Sequence, residues 1–104
     1  HQKSRRKRMI RDEADRSLVD LLGLFRDVLM VQVGSNLELI NQEMRPAVES
    51  FAARGNPADT TRTLVAIEQA RASIKASTPP QLAVEAVMVS IKDPKLASVH
   101  VNMQ

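Results

Sequence analysis

The chain has 104 residues, 43% of them apolar and 26% charged, with no Cys, Trp or Tyr and only two Phe. That is enough chain for one domain with one modest core. The lack of Cys excludes disulfide frameworks and thiolate metal sites, and an aromatic content of 2% argues against proteins that bind single strands by stacking bases. The net charge of +3 is unevenly placed, because Lys3, Arg5, Arg6, Lys7, Arg8 and Arg11 fall within the first eleven positions. Without those six the remainder is slightly acidic, so the basic start is a local electrostatic feature and not part of a basic domain surface.

No apolar run approaches the roughly 20 residues that a membrane helix needs. The nearest, Leu21 to Val33, carries Arg26 and Asp27 in its middle. The basic start also lacks the apolar region of a signal peptide. The chain therefore reads as soluble and cytoplasmic, with no membrane partner. Because it begins with His1 and not Met, it reads as a piece of a longer protein.

The first predicted element runs from about Lys3 to Val33. Ile10, Ala14, Leu18, Leu21, Leu22, Phe25, Val28 and Leu29 follow the i, i+3, i+4 spacing of a one-faced helix. Leu24, Met30, Val31 and Val33 widen the stripe toward its end, as expected of a helix buried on several sides or meeting a partner. Gly34 suits the left-handed position that closes it. Leu37 to Gln42 reads as a short piece of about one helical turn. A third element, about Met44 to Arg54, places Met44, Val48, Phe51 and Ala52 on one face, with Pro46 tolerated in its first turn. The fourth opens on Asn56-Pro57-Ala58-Asp59, an N-cap, N1 proline and first-turn acid in order. It carries Leu64, Ile67 and Ile74 as a stripe, beside a small-residue row of Ala66, Ala70 and Ser73. The fifth opens on Thr78-Pro79-Pro80-Gln81, read as a capping box with Thr78 at the N-cap. Its Leu82 to Ile91 stretch holds only Glu85 and Ser90 as polar residues, and Val84, Val87 and Val89 would also suit a strand; the cap decides for a buried central helix.

The expected fold is thus all-α: a single five-helix bundle with a long first helix and a buried last helix. Residues 1–10 read as a basic linker or helix start, 11–92 as the helical domain and 93–104 as a flexible tail.

Catalytic chemistry is hard to place. His1 and His100 lie near opposite ends of the chain, there is no Gly-rich phosphate loop, and the acids lack the Glu-x-x-His pattern of a di-metal bundle. The expectation is a non-enzyme with no catalytic, cofactor-binding or metal-binding residues and no cofactor. Three features carry other readings. Lys3, Arg5, Arg6, Lys7 and Arg8 could contact a phosphate backbone. Without aromatics or base-reading side chains beside them, a solvated helix start or linker is the simpler reading. Of Arg26 and Asp27, about 100° apart on a helix, Asp27 is expected to face solvent, while Arg26 could reach a partner subunit or Glu85. Glu85 is expected in a structural ion pair with an arginine, Arg71 foremost and Arg26 or Arg62 otherwise, the alternative being an exposed first-turn acid at the positive end of the helix dipole. Leu21, Leu24, Val28 and Val31 are the candidate subunit-interface residues, since a small bundle exposing a broad apolar belt calls for a partner.

The order of segments resembles a known family. Leu24-Phe25-Arg26-Asp27-Val28-Leu29-Met30 is similar to the L-x-R-D-x-L run of the clamp-loader subunits of bacterial DNA polymerase III, and Leu39-Ile40-Asn41 to their short L-[VI]-N element. Ala66-Ile67-Glu68-Gln69-Ala70-Arg71, followed by Pro80-Gln81-Leu82-Ala83-Val84-Glu85-Ala86-Val87-Met88, resembles their C-terminal signature. The pattern is most similar to the collar domain of the delta prime subunit and covers roughly residues 10–92. Ser77-Thr78-Pro79-Pro80 departs from the family's Asn-x-Asn-Pro turn. The resemblance implies an all-helical oligomerisation domain in a ring of sister subunits, delta and gamma/tau, that loads the sliding clamp during DNA replication. It places ATP chemistry in other domains and implies contact with DNA through the assembled complex. The alternatives are a gamma/tau or delta collar domain of the same complex, or a small helical nucleic-acid-binding module using the basic start.

Overall fold

A computed structural model describes residues 2–93. The expected flexible tail therefore lies outside the described residues except for Asp93, as do His1 and His100. The described chain is all-helical: α1 (Gln2–Gln32), a 3-10 turn (Gln42–Met44), α2 (Arg45–Arg54), α3 (Pro57–Lys75) and α4 (Pro80–Lys92). There are four α-helices among the described residues, not five. The piece expected at Leu37 to Gln42 is irregular backbone that reaches a 3-10 turn only at its end.

α1 and α3 pack antiparallel: Gln32 near the end of α1 meets Thr60 near the start of α3, and Asp15 meets Arg71 near the end of α3. α2 lies against α1, and α4 lies mainly against α3. The core between them holds Leu18, Phe25, Val28, Leu39, Val48, Ile67, Ala70, Ile74, Ala83 and Val87, all buried. The two phenylalanines meet there, with ring centroids 5.2 Å apart and planes inclined at 60°, a favourable tilted arrangement. The Arg54 guanidinium lies over the Phe51 ring, 4.6 Å from its centroid. Both aromatic side chains are thus spent on packing α1 against α2.

The helix ends obey local chemistry. α1 closes in a Schellman motif: the Ser35 N–H donates to Met30 O (2.9 Å) and the Gly34 N–H to Val31 O (3.1 Å), with Gly34 at φ +70°. α3 closes the same way through Thr78 to Ser73 and Ser77 to Ile74, but here Ser77, a residue with a Cβ, takes the positive φ of 81°. At the start of α3 the Asn56 carboxamide accepts from the Asp59 N–H at 2.9 Å, as its sequence predicts.

The expected capping box on α4 does not form. Pro80 holds the preceding residue in extended backbone (Pro79 ψ 128°), so the helix begins one residue later and Thr78 lies too far back to cap it. Nor is α4 a buried central helix. Ala83, Val87 and Ser90 face inward, while Leu82, Met88 and Val89 stand about half exposed. Only one side of α4 is covered, because the described helices pack against it from that side alone.

The domain is a slab of 49 × 34 × 17 Å. Its long dimension is set by α1, whose 31 residues span about 46 Å. From Lys3 to Ile10 every residue of α1 is exposed, and contact with the core begins at Ala14.

Candidate functional site

The Arg26-Asp27 pair resolves in the opposite sense to the sequence reading. Arg26 faces solvent, and Asp27 is 1% exposed. The Asp27 carboxylate is held by nitrogen donors from a segment thirteen and fourteen residues away. Its Oδ1 accepts from the Ile40 N–H at 2.8 Å, and its Oδ2 from the Asn41 N–H at 2.8 Å and from Asn41 Nδ2 at 3.3 Å. No cation pairs with it among the described residues. Its charge is therefore met by three hydrogen bonds, each of which the ionised acceptor strengthens.

This carboxylate organises the backbone between α1 and α2. That segment is irregular, so its amides have no helix to bond within, and two of them find Asp27 instead. With Asn41 fixed, its carbonyl accepts from the Met44 N–H at 2.9 Å, which starts the 3-10 turn that leads into α2. Leu39 is drawn into the core while Leu37 and Ile40 point outward, 73% and 60% exposed. Gly23, one turn before Asp27, leaves room for this arrangement: a Cβ there would stand 3.2 Å from Asn41 Nδ2. Sequence reasoning misses Gly23, and it singles out Asn41 only through the resemblance, without its contact to Asp27. The available cue is a lone acid at the edge of an apolar stripe, with a Leu-Ile-Asn piece beyond it that lacks helical periodicity.

A second polar junction joins three helices at the far end of α1. Gln32 Nε2 donates to Ala52 O in α2 (3.3 Å), and its Oε1 accepts from the buried Thr60 hydroxyl in α3 (2.6 Å). Toward the other end, Arg71 Nε donates to Asp15 (3.0 Å) and Arg71 Nη1 to Glu68 (3.3 Å). The hydrogen bond to Asp15 is the largest influence on Arg71 and raises its pKa above the ordinary value; desolvation opposes it, and the Asp15 charge and the contact with Glu68 add to the rise. Among the described residues every buried side-chain nitrogen and oxygen has a partner.

Arg71 is therefore engaged with α1 and its own helix, and the expected Glu85–Arg71 pair is not formed. Glu85 is exposed and accepts from Gln81 Nε2 at 3.3 Å. The reason is the orientation of α4: Ala83 and Val87 take the inward positions, which turns Glu85 outward. Of the other two candidates, Arg62 pairs with Asp59 at 2.8 Å and Arg26 faces solvent.

The four interface candidates separate. Val28 is 1% exposed and belongs to the core, so it cannot reach another subunit. Leu21 and Leu24 are partly buried against that core, and Val31 is at the surface. Besides Val31 at the end of α1 and Val33 just beyond it, apolar side chains are open on the outer side of α4 at Leu82, Ala86, Met88 and Val89, and at Leu37 and Ile40 on the segment that Asp27 holds in place. Leu82, Ala86 and Val89 share one stripe at i, i+4, i+7.

Lys3, Arg5, Arg6, Lys7 and Arg8 all lie on α1, so the basic start is helix and not an irregular linker. No helix of the described residues is long and apolar enough to cross a membrane. The chain was compared with family models, with curated protein sequences and with solved structures, and no match was found in any of the three.

Proposed function

We propose that this chain is an assembly module: a non-catalytic collar domain of a DNA polymerase III clamp-loader subunit, most similar to delta prime, that binds the collar domains of its sister subunits. The observation that carries the reading is the Asp27 seat. Two of the sequence elements that resemble the family, the L-x-R-D run at Leu24–Asp27 and the L-[VI]-N element at Leu39–Asn41, meet in one hydrogen-bonded unit. That contact gives a physical reason for the acid and the Asn to occur together at this spacing. The open apolar stripe of α4 supports the same reading, since a small domain gains by covering such a face with a neighbouring helix.

Size-exclusion chromatography with light scattering tests it, on the chain alone and mixed with the collar domains of delta and gamma/tau. The expected result is a mixed complex that withstands moderate salt, as apolar burial should. Leu82→Glu with Val89→Glu, both exposed positions, should abolish the complex while leaving the helical circular dichroism unchanged. Persistent monomer in every mixture would overturn the proposal.

A further inference from the structure

The first three turns of α1 serve no purpose in the fold. Residues 3–10 are all exposed, and Arg11 is half-buried. None of the six cations of this stretch forms an ion pair among the described residues, although Asp12 and Glu13 come directly after them. Lys3–Lys7 and Lys7–Arg11 are like-charge pairs at i, i+4, and Lys3–Arg6, Arg5–Arg8 and Arg8–Arg11 at i, i+3. Each disfavours the helix by a few tenths of a kcal/mol. The stretch therefore concentrates positive charge at a cost to its own conformation, on a rod that stands clear of the body. Because α1 and α3 run antiparallel, the exposed Lys75 at the end of α3 adds to the same end of the molecule.

We infer that residues 3–11 of α1 bind the phosphate backbone of double-stranded nucleic acid. The charge arrangement selects that ligand over a lipid surface. At about 100° per residue, and counting from Lys3, Lys7 lies near 40°, Arg11 near 80°, Arg8 near 140°, Arg5 near 200° and Arg6 near 300°. Cations thus face nearly every direction, and the two apolar residues, Met9 and Ile10, have Arg6 between them. A helix that lies in a bilayer surface needs a continuous apolar face opposite its charges, and this one has none. Single strands are disfavoured for a different reason, because both phenylalanines are packed between α1 and α2 and no aromatic remains to stack on bases. Four of the six cations are arginines, whose forked donors match phosphate oxygens. Without groups placed to read base edges, binding is independent of sequence. The inference stands on exposed charge and is independent of the collar assignment.

Fluorescence anisotropy of a labelled 20-base-pair DNA duplex, titrated with the full chain at several KCl concentrations, is the test. Binding is expected in about the 1–100 µM range near physiological salt. The slope of log K against log salt should be about −4 to −5 for five neutralised phosphates. Neutralising the arm (Lys3→Gln, Arg5→Gln, Arg6→Gln, Lys7→Gln, Arg8→Gln) should weaken binding at least ten-fold with helicity equal or higher, since the like-charge pairs are gone. The charge-preserving set Arg5→Lys, Arg6→Lys, Arg8→Lys should stay within a few-fold, and Arg45→Gln, on α2, within two-fold. No anisotropy change at 25 mM KCl, an affinity unaffected by the glutamine set, or tighter binding to phosphatidylserine vesicles than to the duplex would each overturn the inference.

Discussion

Residues 14–32 and residues 3–11 belong to one continuous helix, yet nothing that holds the first stretch in place applies to the second. The inner stretch contributes Leu18, Phe25 and Val28 to the core, supplies the Asp27 seat, and ends in the Gln32 junction and a glycine-closed Schellman turn. The outer stretch is exposed from Lys3 to Ile10, with only Arg11 half-buried, and it repels itself. The difference teaches that helical periodicity in this chain marks where a helix exists but not what it is for. An embedded helix is held by tertiary contacts, and its overhang is available for other work.

The inner stretch is most vulnerable at Asp27. Asp27→Ala leaves two part-buried backbone amides and the Asn41 carboxamide without their acceptor. Hydrogen bonds to a charged group contribute about 1.5–3 kcal/mol each; because water can reach the freed donors in part, a loss of about 3–5 kcal/mol, below the sum of the three, is expected, a large share of a small domain's stability. Urea denaturation checks it, and a loss below about 1 kcal/mol would show that the seat is not what orders the Leu39–Asn41 segment.

Apolar truncation tests the two stretches side by side. Leu18→Ala, at a site with no exposure, should cost about 2–5 kcal/mol, whereas Ile10→Ala on the overhang should stay within about 0.5 kcal/mol. Similar losses at both positions would mean that the outer stretch is packed after all.

The elements legible in the sequence are those specified by neighbouring residues. Gly34 closing α1, and Asn56-Pro57 with Asp59 opening α3, need only residues within one turn. Asp27 is misread because its partners are amides of a distant irregular segment, and an amide carries no residue identity that a pattern could reveal. Thr78 is misread because two prolines in succession shift the helix start by one residue, which a cap cannot tolerate. The misreading of α4 has another origin. An apolar composition says that a helix wants cover, but not that its own chain supplies it, and here Leu82, Met88 and Val89 remain open. The same limit undoes Val28 as an interface candidate: the stripe is apolar, and only the packing decides which side of it meets the core.

Two smaller effects sharpen the account of the inner stretch and its neighbours. Thr60→Val removes the 2.6 Å hydrogen bond to Gln32 and leaves that acceptor without its protein donor, for a loss of about 1–2 kcal/mol by thermal denaturation. Ser77→Gly should act in the opposite direction. Relief of a left-handed residue is worth about 1–2 kcal/mol, and glycine's freedom in the unfolded chain takes back about 0.5–1 kcal/mol. A net gain of about 0.5 kcal/mol is expected, and a loss would show that the Ser77 side chain contributes to the turn.

The most direct test of the division within α1 is amide hydrogen exchange, resolved by residue, on the chain alone. Leu18 to Leu29 should exchange only with global unfolding, residues 4–9 nearly as fast as an unstructured peptide, and Ile40 and Asn41 slowly although neither lies in a helix. Uniform protection along α1, or rapid exchange at Ile40 and Asn41, would contradict it.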